Sequence, residues 1–161
     1  MRARTSTATA AILAAAIALT ACNRLVPSGF WKGYRKDSIV KQQSDQGPWG
    51  GERWILWESS ETGAFSEVDA KRFAVDHSWT FLERVEMPAG AIDAAPVFFK
   101  GYDYARTHFP RFIAGDSVVL QFDSGWMRED PGTNAMSTAY GYLQLSKDGR
   151  KMVVYHLWGN W

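Results

Sequence analysis

Hydrophobic residues repeat along this chain in three ways, and each predicts an element. In "ERWILWE", Trp54 to Trp57 form a continuous apolar run of strand length. Such a run predicts a strand covered on both faces. After the turn "SSETGAF" the period lengthens. Ala70, Phe73, Ala74 and His77 share one helical face while Lys71 and Arg72 point away, which predicts a helix from Glu67 to about His77. Ser66 offers its N-cap, and Glu67 and Asp69 suit the positive end of the helix dipole. In "WTFLERVEM" strict alternation returns. Trp79, Phe81, Val85 and Met87 fall on one side, and Thr80, Arg84 and Glu86 on the other, so this segment predicts a strand with one wet face. Pro88 and Gly90 end it.

The stretch from Gly90 to Pro110 carries the weakest pattern. "PVFF" predicts a short strand and "YDYARTHF" one helical turn. "RFIAGDSVVLQF" has two apolar segments around Gly115-Asp116, a hairpin signal. "SGWMREDPGTNAMS", which holds Trp126, reads as a loop. The clearest hairpin is "TAYGYLQLSKDGRKMVVYHLW". Its turn at Asp148-Gly149 lies between Tyr140–Leu145 and Met152–Trp158. Gly159 and Asn160 are turn formers, so this last strand is expected to stop before them, leaving Trp161 at a chain end. Strand, helix, strand and then several strands predict an α+β fold. It would be an antiparallel or mixed β-sheet with one principal α-helix packed on a face, spanning residues 52–161.

Ahead of that domain the pattern is irregular. Residues 22–51 read as a tether, which as a flexible coil would span about 30 Å. "GFWKGY" interrupts it, because Phe30, Trp31 and Tyr34 are costly to leave in water. They either dock on the domain, the favoured reading, or rest in a lipid interface, where Trp and Tyr are at home.

The first residues have a different order. Arg2 and Arg4 precede an apolar run, Ala11 to Leu19, that is half the length of a membrane span and fits the apolar core of a signal peptide. Leu19-Thr20-Ala21-Cys22 follows. This quartet resembles the lipobox of bacterial lipoproteins, and the resemblance reaches only the first 23 residues or so. It implies that residues 1–21 are a removed signal peptide. It further implies that the sulfur of Cys22 receives diacylglycerol and that the new terminal amine is acylated. Cys22 is the single cysteine of the chain. Lipidation explains a lone thiol in an exported chain, and it removes that thiol from nucleophilic or metal chemistry. Two or three acyl chains on one residue hold a protein at a membrane, whereas one chain binds only marginally. In the family's sorting pattern Asp after the Cys favours the inner membrane. Asn23 stands here, so the resemblance points to the periplasmic face of the outer membrane.

Composition narrows the remaining choices. Losing Arg2 and Arg4 from 18 Lys and Arg, against 17 Asp and Glu, leaves a mature charge of −1. That balance gives no reason to expect nucleic acid as a partner. His77, His108 and His156 show no metal-site spacing, and no cofactor motif is present. Ser124-Gly125 and Ser28-Gly29 lack the sharp elbow that presents a serine nucleophile. The carboxylate pairs Glu52 with Glu58 and Glu83 with Glu86 read as solvated surface. The chain is rich in rings, with 8 Trp, 9 Phe and 6 Tyr. Trp54, Trp57 and Trp79 read as core. Trp126 and Trp161 are the candidates for contact with a partner, because exposed Trp anchors interfaces and stacks on sugars. The expectation is a lipid-anchored envelope lipoprotein with a non-catalytic binding domain. Its partner would be an envelope assembly protein, or a toxin or lytic enzyme that it neutralises. A glycan-binding module for peptidoglycan fragments is the alternative, and a small hydrolase the third reading.

Overall fold

The computed structural model describes residues 28–47, 50–91, 107–129 and 136–159. Six strands make one sheet: β1 (Ile39–Gly47), β2 (Gly50–Glu58), β3 (Thr80–Met87), β4 (Ser117–Glu129), β5 (Met136–Ser146) and β6 (Lys151–Gly159). Their spatial order is β1-β2-β6-β5-β4-β3, and every neighbouring pair is antiparallel. Among the described residues one complete helix, α1 (Glu67–Asp76), packs with two short 3-10 turns, Gly29–Gly33 and Lys36–Ser38. The fold is therefore mainly β with one principal helix, and the sheet is antiparallel rather than mixed.

The helix forms where its pattern places it. Ser66 is extended, and its hydroxyl accepts from the Asp69 backbone N–H at 3.4 Å. Ala70 and Ala74 are buried beneath it. At its end His77 donates through Nδ1–H to the Phe73 carbonyl at 2.8 Å. The predicted final hairpin is present as β5 and β6, and β6 runs through Gly159. Its turn docks on the helix approach: Phe65 N–H donates to Gly149 O at 2.8 Å and Gly63 N–H to Asp148 O at 2.7 Å. Gly149 has φ +68°, and a Cβ there would meet the Gly63 backbone at 2.8 Å. Gly149→Ala is expected to cost about 1–3 kcal/mol in urea unfolding, from left-handed strain and a backbone clash. An unchanged midpoint would show that the turn does not dock.

Four expectations need correction. The tether is one. From Ser28 to Gly47 the chain belongs to the fold, since Trp31 is fully buried and β1 pairs along the whole of β2. Phe30, Trp31 and Tyr34 dock, with Trp31 centred 5.2 Å from Phe73, 5.7 Å from Trp79 and 6.1 Å from Trp57. The side assignment within β3 is another. A register shift between Phe81 and Glu83 inserts Leu82, and an extra residue reverses every side chain beyond it. Trp79 and Phe81 thus join the core under the helix, while Val85 and Met87 join the opposite one. Arg84 turns to the helix side and binds Glu67 at 2.8 Å.

The remaining two concern loops. Gly115-Asp116 is not a hairpin turn. Residues 111–116 form no strand; Phe112 and Ile113 lie across the sheet and pack with Leu56 and Val153. The supposed loop after Ser124 is largely strand, because β4 continues to Glu129 past an irregularity between Asp123 and Met127. Predicted elements within residues 92–106 lie outside the described residues.

Both faces of the sheet are covered. Ile55, Trp57, Leu120, Leu143 and Val154 face the helix and the N-terminal turns. Val119, Tyr142, Tyr155 and Leu157 face the other way, against Met87 and Phe109.

Candidate functional site

Two places gather polar groups. The first is buried on the helix side of the sheet, at His156. His156 is fully buried. Its Nε2 lies 3.0 Å from Ser124 Oγ, and that hydroxyl donates to Ala139 O at 3.1 Å. The hydroxyl proton is thus committed, so Nε2–H is the donor to Oγ. The ring lies between Trp79, at 5.2 Å, and Trp158, at 5.0 Å. Its cross-strand neighbour Gly141 makes this possible, because a Cβ there would overlap the Trp79 ring. A bare glycine covered by an aromatic ring is a recurrent device of antiparallel sheets.

A serine beside a histidine invites a catalytic reading, and the electrostatics oppose it for this pair. Burial pushes His156 down to about 3, and the Arg53 cation directly across β2 pushes the same way. Arg53 is itself buried, which lowers its own pKa, and it donates to Ser44 Oγ at 3.2 Å. A general base must hold the proton it takes, and a triad uses a carboxylate to steady it. Here a guanidinium stands near the ring, and Nδ1 meets no described partner. The Ser124–His156 contact ties β4 to β6.

The second place is at one end of the sheet, on the opposite face, around residues 111–116. An open groove of about 810 Å³ runs between Phe112–Asp116, the end of β2 and the β5–β6 turn. Three ion pairs edge it: Glu58 with Lys151 at 3.0 Å, Asp116 with Lys147 at 3.9 Å, and Asp148 with Arg150 at 4.0 Å. The Ser146 hydroxyl and the Arg150 backbone N–H hold the Asp148 carboxyl below the usual range. One ring, Phe112, lines the groove. Trp54 lies against it at 4.9 Å and Lys41 Nζ sits over it at 5.8 Å.

Comparison with family models, curated proteins and solved structures finds no match to this chain.

Behind the groove, and sharing Ile113, Ala114 and Gly115 with it, is a smaller pocket of about 140 Å³. Gln144 of β5 lines it with only 1 % of its surface exposed. Its Nε2 donates to Ser117 Oγ at 2.9 Å and to Ile113 O at 3.5 Å. Its Oε1 accepts no hydrogen bond from the described residues.

The residues singled out by sequence fare unequally. Cys22 and Trp161 lie outside the described residues. The backbone of Trp126 is in β4, just past Gly125 with φ +65°, and not in a loop. Trp57 and Trp79 are core as expected, and Trp54 is half-buried. Glu52 accepts from Tyr155 OH at 3.0 Å, Glu58 pairs with Lys151, and Glu86 pairs with Arg84 at 2.7 Å. Among the described residues no group of three His, Cys, Asp or Glu could hold a metal. Sequence reasoning missed Gln144. Its signal was present: one amide inside "YGYLQL", a segment otherwise without polar chains beyond its tyrosines.

Proposed function

We propose that this chain is a bacterial envelope lipoprotein, anchored through lipidated Cys22, whose domain binds a protein partner through the ion-paired groove. The outer membrane, periplasmic face, is its place, and catalysis is not its task. The observation that carries the binding reading is the groove's chemistry. Exposed ion pairs contribute only about 0–1 kcal/mol each, so an incoming charged segment can exchange with them at little cost. Their alternating signs fix a register for such a segment and penalise mismatched ones. An envelope assembly protein, or a toxin or lytic enzyme to be neutralised, supplies a partner of this kind. A glycan reading needs open aromatic faces. Phe112 already has Trp54 and Lys41 where a sugar would stack, which favours the protein.

The anchor and the groove are tested separately. Cys22→Ser is expected to move the protein from the membrane fraction to the soluble one and to abolish its acyl mass. Retention at the membrane without acyl mass on the wild type would end the lipoprotein reading. For the groove, a photo-cross-linker at Lys147 should capture a protein from the native envelope with the anchor intact. A cross-linker at Gln42, on the exposed edge β1, should not. Lys151→Glu should reduce the Lys147 adduct about tenfold. Equal capture from both positions would remove the groove, and captured muropeptides would replace the protein by a glycan.

A further inference from the structure

We propose that the 140 Å³ pocket holds the C-terminal residue of the bound protein, its small aliphatic side chain against the apolar walls and its carboxylate on Arg111. The inference rests on the groove reading, because pocket and groove share Ile113, Ala114 and Gly115.

Size and walls select the side chain. Liquid water takes about 30 Å³ per molecule, so the pocket has the room of about five waters. One alanine- or valine-sized residue fits that space. Met87, Pro88 and Ile113 supply apolar surface for it. Gln144 is sealed beneath and offers nothing to a ligand. Its Nε2 instead holds Ser117 Oγ at 2.9 Å and Ile113 O at 3.5 Å, which fixes the segment that pocket and groove share.

Charge selects the end group. Arg111 is exposed, and among the described residues it is the one charged side chain of the lining; no carboxylate lines the pocket. A guanidinium presents several N–H donors in one plane, matches a carboxylate with two of them, and can do so beside another partner. The backbone adds donors. Ala89 N–H is spent on Asp116 Oδ1 at 3.1 Å and Ala91 N–H on Pro88 O at 2.9 Å. No described residue accepts from Gly90 N–H between them, nor from the N–H groups of Ala114 and Gly115. All three residues line the pocket. A cation beside unspent backbone N–H groups suits the capture of a chain-terminal carboxylate. An interior residue of the partner would bring only a neutral amide, with no charge for Arg111 to meet.

N-acetyl-L-alanine, ionised near neutral pH, is the probe, and its neutral amide, N-acetyl-L-alaninamide, is the control. The whole mature chain is used in detergent micelles, followed by ¹⁵N NMR. The acid is expected to shift the Gly90, Ala114 and Gly115 amides saturably. The amide should bind at least about tenfold more weakly, as expected when charge-assisted hydrogen bonds are lost. Arg111→Gln should weaken the acid by a similar factor, leave the amide unchanged and keep the melting temperature. Equal binding of acid and amide, no saturable shift, or an acid response that survives Arg111→Gln overturns the proposal. Should Arg111→Gln not fold, the comparison of acid and amide on the wild type decides alone. Tighter binding of N-acetyl-D-alanine than of the L-form also overturns it, since a D-residue marks a peptidoglycan stem and not a protein. A photo-cross-linker at the exposed Ala114 should attach to the C-terminal peptide of the captured protein, and adducts confined to interior peptides would again overturn it. Lys151 lines the groove and not the pocket, so Lys151→Glu should leave the acid response intact. No capture at Lys147 beside a pocket that still binds the acid sinks the groove reading only. Capture at Lys147 beside a silent pocket sinks the subsite only.

Discussion

A chain that begins at Gly47 is expected to lose cooperative unfolding, and Trp31→Ala in the whole mature chain to lose about 3–5 kcal/mol. The sequence pattern alone would start the domain there, because the periodic signals lie beyond it. The tertiary contacts say otherwise. Trp31 is fully buried and its ring meets Tyr34, Trp57, Phe73 and Trp79 within 6.1 Å. Trp57 Nε1 donates to Tyr34 O at 2.8 Å, so the segment also satisfies a buried donor of β2. Cutting before Gly47 removes all of this together with β1, which pairs with β2 from Trp57 to Gly50. A domain's net stability is about 5–15 kcal/mol, so the loss takes a large share. Trp31→Phe is expected to lose less than Trp31→Ala, because a ring stays in the site and the indole N–H has no partner among the described residues. Urea unfolding followed by tryptophan fluorescence reads all three. A loss below about 1 kcal/mol for Trp31→Ala would put the segment outside the core.

Acid is expected to destabilise the domain through His156. Its folded pKa is lowered from 6.5 to about 3, first by burial and then by Arg53. Between those values the unfolded chain binds a proton that the folded chain refuses, so stability is full above about pH 6.5 and falls as the pH drops toward 3. Each unit of pKa difference corresponds to about 1.4 kcal/mol, so moving from pH 7.5 to 4.5 should remove about 2–3 kcal/mol. His156→Phe keeps a ring between Trp79 and Trp158 and takes up no proton. It should flatten that slope, and Ser124 keeps its bond to Ala139 O in the variant. Denaturant midpoints at the two pH values check this. An unchanged slope in His156→Phe would mean that the acid sensitivity lies elsewhere.

Local signals fixed the elements whose stability is local. Ser66 caps α1 because a hydroxyl three residues before a free N–H needs no distant partner. The β5–β6 hairpin closes because Asp148-Gly149 supplies the turn and its flanks alternate without a break. Strand β2 is buried on both faces, as a continuous apolar run demands. The same locality explains the N-terminal reading, since a lipobox is recognised in the extended chain before any fold exists.

Other features were decided only in three dimensions. One inserted residue at Leu82 sends Val85 and Met87 to the opposite core, and a period-2 reading has no way to see a bulge. The "GFWKGY" segment is irregular by pattern, yet Trp31 is buried because Trp57, Phe73 and Trp79 leave a ring-sized place beneath the helix. Phe112 and Ile113 look like a strand but cross the sheet instead, since packing rewards their area and is indifferent to backbone pairing. His156 and Ser124, 32 residues apart, meet because β5 lies between their strands and carries the bare Gly141 beneath Trp79. Gln144 was visible as an amide in an apolar strand, but its unsatisfied oxygen depends on where Ser117 and Ile113 fall. Periodicity reports which side of an element is apolar. Only the assembled sheet determines which face each residue reaches, what covers it, and which polar atom is left with its bonding capacity unused.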